Sequence, residues 1–181
     1  MNNAGAMYVE YDDHGVVAAT LGAALVARGF AQADLPPGAI SGRIMAREKR
    51  RRLFFVLPPQ NGWVAIFEDP RYFGERELAR DLAVALGTRA VWVEVSGNGV
   101  GWARGVYRGE AVLEERYEEV ETTFYGEYGP VSFVYDIDTT PDEFIAAHGL
   151  PHDELHYEAI AAGELPPDAG EPIHLAFERL A

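Results

Sequence analysis

Apolar positions along the chain recur in two rhythms, one of helices and one of strands. Over residues 13–28, Val17, Leu21 and Leu25 fall four apart, the spacing of a single helix face. Asp12 or Asp13 can accept the unpaired amides at the start of that helix, and Gly29 can take the left-handed conformation that closes it. A second helix is predicted over 75–86, where Leu78, Leu82 and Leu86 line one side and Gly87 follows. Between the two helices lie three strand-like runs. Residues 39–46 are the first. Leu53-Phe54-Phe55-Val56-Leu57 is apolar without alternation, as in a strand covered on both faces. Trp63-Val64-Ala65-Ile66-Phe67 follows Asn61-Gly62, a strong hairpin turn signal. Three more strands are predicted over 90–95, 102–107 and 111–116, separated by Gly97-Asn98-Gly99 and Arg108-Gly109.

The last third is less regular. Residues 131–136 read as a strand, and Thr140-Pro141-Asp142-Glu143 is a capping box with proline at the first helical position. A short helix should run from there to His148 and stop at Gly149. Pro151 can open another helix as far as residue 162, and residues 173–177 read as a final strand. The order is that of an α+β fold: an antiparallel sheet with helices packed mainly on one face. We expect a core of residues 1–118 and an acidic α/β extension, 119–181, packed on it as one folded unit.

Charge sharpens this division. The 181 residues carry 15 Lys+Arg and 29 Asp+Glu, a formal net charge of −14. Residues 1–107 are nearly neutral, so the excess belongs to the tail, where only Arg108, Arg116 and Arg179 are basic. That sign argues against a nucleic-acid binder. Inside the neutral part, Arg43, Arg47, Lys49, Arg50, Arg51 and Arg52 form a basic patch, expected at a strand turn facing the acidic part of the chain. The absence of cysteine excludes disulfides, thiolate metal sites and a cysteine nucleophile. The apolar stretch 14–27 is preceded by Glu10, Asp12 and Asp13, the reverse of a secretory signal, and no run is long enough to span a membrane. A cytoplasmic protein is expected. The preference for Arg over Lys, with abundant Ala and Gly, hints at a bacterial source.

Few residue patterns carry chemistry. His152 and His156 lie four apart and could share a helix face as zinc ligands with Asp153. The pattern resembles the His-Glu-x-x-His motif of metal-dependent hydrolases, but Asp153 stands where the catalytic glutamate belongs, so the pair is an alternative reading only. A calcium loop counted from Asp136 fails, with Pro141 in the glycine place and Ala147 in the glutamate place. Gly97, Gly99 and Gly101 join two strands rather than opening a helix, and none of Ser41, Ser96 and Ser132 lies in a nucleophile elbow. No cofactor is implied.

The order of elements resembles that of the YbjN-like and type III secretion chaperone group, small acidic proteins whose helices pack on an antiparallel sheet. Gly62-Trp63-Val64-Ala65-Ile66, followed by Ala85-Leu86-Gly87-Thr88-Arg89-Ala90-Val91-Trp92, is also similar to the core of uncharacterised bacterial proteins. The resemblance implies an open surface that binds another protein, and it supplies no catalytic residues to carry over to this chain. The expectation is therefore a non-enzymatic binding module, chaperone-like or immunity-type, for a basic protein. Trp92 and Trp102 would supply apolar contacts, and Glu114, Glu115, Glu118, Glu119 and Glu121 a steering field. The remaining alternative is an acidic scaffold with no steering role.

Overall fold

The computed structural model describes residues 4–34, 51–68, 76–95, 101–119, 122–126, 129–133, 139–151 and 170–180. Eight strands form one sheet in the order β2-β10-β3-β4-β1-β5-β6-β7, with every neighbouring pair antiparallel. Their ranges are β1 Ala4–Glu10, β2 Phe30–Gln32, β3 Arg51–Val56, β4 Trp63–Glu68, β5 Arg89–Val95, β6 Gly101–Arg108, β7 Ala111–Glu119 and β10 Ile173–Arg179. Among the described residues, β8 (Thr122–Gly126) and β9 (Gly129–Phe133) pair with each other alone. Three helices are described: α1 (His14–Ala27), α2 (Arg76–Leu86) and α3 (Pro141–His148). The fold is α+β.

β1 sits at the centre of the sheet, although the sequence pattern did not predict it. Its run Ala4-Gly5-Ala6-Met7-Tyr8-Val9 is uncharged but rich in small residues of poor strand propensity. Burial explains why it forms. Ala6, Met7, Tyr8 and Val9 are all covered, alternately by the two faces of the sheet. α2 links β4 to β5, which run in the same direction on either side of β1. Asp13 caps α1 by accepting the amides of Gly15 and Val16, and Arg28 closes it before Gly29. Val17, Leu21 and Leu25 are buried as their spacing predicts.

Both faces of the sheet are covered. α1 and α2 lie on one, over a core that includes Met7, Val9, Leu21, Leu25, Phe54, Ile66, Leu78, Leu82, Trp92 and Phe177. α3 lies on the other, seating Phe144, Ile145 and Leu150 on Tyr8, Trp63, Val91, Val93, Trp102 and Val106. Its capping box is formed as predicted, with Thr140 at the cap, Pro141 at the first turn and Gly149 left-handed at the end. The C-terminal strand β10 lies between β2 and β3, so residues of the acidic tail complete the main sheet. The expected strand over 39–46 and the helix from Pro151 lie outside the described residues, apart from Pro151 itself.

Candidate protein-docking edge

The sheet ends in two very different strands. β2 has three residues, whereas β7 has nine and, among the described residues, pairs only through its β6 side. A long open edge exposes backbone amides and carbonyls to any chain that can extend beside it. β7 also carries a bulge. Val112 stands opposite Tyr107 and Glu114 opposite Val106, leaving Leu113 as the extra residue. Among the described residues, three of the seven exposed large hydrophobics lie on this one strand: Val112, Leu113 at 57% exposure and Tyr117 at 65%. Apolar side chains in solvent on an unpaired edge mark a surface that another chain can cover.

The two tryptophans do not form an exposed patch. Trp92 pairs with Gly105 and Trp102 with Val95, a register that places the indoles on opposite faces of the sheet. Trp92 is 9% exposed in the core beneath α1 and α2, and Trp102 is 3% exposed against Phe144 of α3. Both indole N–H groups are buried without an acceptor among the described residues.

The carboxylates of β7 are divided. Glu114 pairs with the buried guanidinium of Arg104, which itself lies over the rings of Trp102 (4.5 Å) and Phe144 (5.4 Å). Glu115 accepts a 3.0 Å hydrogen bond from the Tyr107 hydroxyl and lies 3.8 Å from Arg76 at the start of α2. Burial, and then the bond to Glu115, push the Tyr107 phenol well above its ordinary value, so it remains a donor. Glu118 and Glu119 belong to β7 by backbone, opposite Trp102 and Gly101. Glu121 lies outside the described residues.

Two residues of the basic patch lie in a strand rather than at the expected turn. Arg51 and Arg52 are in β3, while Arg43, Arg47, Lys49 and Arg50 lie outside the described residues. Arg51 meets the tail at Glu178 (3.8 Å), with both side chains partly exposed. Arg52 is 4% exposed and makes a two-pronged pair with Glu68 at 2.6 and 2.8 Å, its guanidinium also facing Phe30 and Phe54. Arg52 is thus a core residue, and nothing in its hydrophilic neighbourhood in the sequence shows it.

His152, Asp153 and His156 lie outside the described residues. Among those described, no group of three or more His, Asp or Glu side chains gathers to hold a metal. No described helix is long and apolar enough to cross a membrane. No family model, curated protein or solved structure matches the chain.

Between β7 and α2 the surface opens into a pocket of ≈ 370 Å³, with Ala103, Trp92, Arg76, Glu115, Arg116 and Tyr117 among its lining residues. Its concavity begins with small residues. Ala103 and Gly105 alternate on β6, and the Tyr107 side chain already occupies the space above Gly105. Ala103 is left as an open step between the Trp92 strand and the Tyr117 strand. Sequence reasoning found the aromatic residues but not this arrangement, because their facing depends on register.

Proposed function

We propose that this protein is a non-enzymatic binding module that takes up an extended, basic segment of a partner protein as an additional strand on β7. The observation that supports the reading is the nine-residue strand β7, which among the described residues has an open edge and bears Val112, Leu113 and Tyr117 in solvent. Strand addition uses main-chain hydrogen bonds for affinity and alternate side chains for specificity. Charge supplies the preference for a cationic partner. Residues 108–121 contain six glutamates against two arginines, within a chain of net charge −14. Such a field speeds encounter with cationic chains and disfavours acidic ones. Charged residues also guard edges against aggregation, but a purely protective edge has no use for three exposed apolar side chains.

The test is titration of the full chain with a heptapeptide of alternating lysine and valine, and with its glutamate counterpart, at low and high salt. The lysine peptide should bind, weaken as salt rises and slow amide exchange along β7. The glutamate peptide should not bind. Leu113→Pro, which alters the open edge at the bulge, should abolish uptake while leaving the rest of the sheet protected. Failure of the lysine peptide to bind at low salt, or unchanged uptake by Leu113→Pro, overturns the proposal.

A further inference from the structure

The pocket between β7 and α2 defines which side chain the docked strand must carry. We infer that it takes one aromatic side chain of that strand, so that the recognised segment is a basic stretch with an aromatic residue in the register facing α2. This inference rests on the docking reading and adds a specificity site to it.

Position comes first. Glu115 and Tyr117 stand opposite Gly105 and Ala103 on β6, and Trp92 stands opposite Gly105 on β5, so the pocket opens on the α2 side of the edge. A strand added beside β7 presents every second side chain to that side, next to Glu115 and Tyr117. Ala103 projects only a methyl group, leaving the volume between Trp92 and Tyr117 unfilled.

The chemistry of the walls then chooses among occupants. Trp92 and Tyr117 offer ring surfaces, and Arg76 at the first turn of α2 brings a guanidinium that is more than half exposed. Ring faces and a guanidinium both favour a π-system. A lysine or arginine would meet the guanidinium of Arg76, while Glu115 is already engaged by Arg76 and Tyr107. An acidic side chain would oppose the field of the edge. A small aliphatic residue would leave space at ≈ 370 Å³. The buried, unpaired indole N–H of Trp92 adds a local polar group whose environment reports on filling of the pocket.

The experiment uses the same lysine–valine heptapeptide with its central valine replaced by phenylalanine or by alanine. The phenylalanine peptide should bind at least about tenfold more tightly than the alanine peptide. It should also shift the Trp92 indole N–H resonance, assigned with Trp92→Phe. Ala103→Leu fills the step, and Tyr117→Ala removes a wall that is largely in solvent. Each should erase the phenylalanine advantage; Ala103→Leu should leave the alanine peptide's affinity unchanged, whereas Tyr117→Ala, which also trims the docking edge, should weaken it. Equal affinities for the two peptides overturn the pocket inference and leave the edge reading standing. Loss of both peptides from the unmodified chain removes the edge reading and this inference with it.

Discussion

The Arg52–Glu68 pair shows how much one residue's setting differs from its neighbourhood in the sequence. Two opposite charges at 4% and 1% side-chain exposure are stable together because the fork of the guanidinium satisfies both carboxylate oxygens. Removing one member leaves the other charge buried without its counterion, which costs about 3–5 kcal/mol. Arg52→Met alone should therefore lower Tm by roughly 10 °C. The double variant Arg52→Met with Glu68→Met should recover most of that loss, because the apolar pair fits beside Phe30 and Phe54. Thermal unfolding of the two variants checks the argument, and equal destabilisation in both would refute it. Gly105 makes a different residue-scale demand. A Cβ there would stand 2.2 Å from the Tyr107 hydroxyl oxygen and 2.7 Å from the ring carbon bearing it. Gly105→Ala should displace the ring and break its bond to Glu115, lowering the Tyr107 pKa in a spectrophotometric titration. An unchanged phenol titration would show that the ring has not moved.

Helices announced by local caps and strands announced by apolar runs, β3 to β7 and β10, were legible in the sequence; strand pairing, side-chain facing and the small-residue strand β1 were not. Asp13 and Gly29 bracket α1, and Thr140, Glu143 and Gly149 bracket α3, because caps are contacts within a few residues. β1 escaped because its small residues become a strand only between β4 and β5. The facing of Trp92 and Trp102 escaped for the same reason, since it is set by the β5–β6 register. α3 also carries a prediction of its own. Arg89 donates to His148 Nδ1 at 2.8 Å, which requires that nitrogen to be unprotonated, and the His148 ring is tilted 54° against Phe144 with centroids 4.4 Å apart. Burial, and then Arg89, hold the His148 pKa below its ordinary 6.5, with Arg104 acting in the same direction and Glu114 against it. Well above pH 6.5 both folded and unfolded forms are neutral here, so the contact contributes fully. As pH falls below 6.5 the unfolded chain takes up the proton first, and stability declines until the folded histidine titrates. His148→Gln should flatten this part of the denaturation midpoint profile between neutral and mildly acidic pH. A profile with the same slope in both proteins would show that His148 does not set it.

For the whole molecule, the open edge and the net charge have opposing effects. Two copies could pair β7 to β7 in antiparallel fashion, since the strand is long, unpaired on one side among the described residues and studded with Val112, Leu113 and Tyr117. Each copy, however, brings the glutamate-rich stretch 108–121 and a net charge of −14, so the approach is opposed at neutral pH and low salt. Salt screens that repulsion over about 10 Å at 0.1 M, while the apolar contacts persist. The protein should therefore sediment as a monomer in dilute buffer and form dimers as salt rises, the opposite of its expected response to a basic peptide. Glu118→Gln with Glu119→Gln should dimerise at lower salt and also hold the lysine peptide less tightly. Leu113→Pro should block both forms of association. Sedimentation velocity across a salt series, with and without the peptide, separates these effects: dimerisation insensitive to salt and to Leu113→Pro would remove β7 as the shared surface.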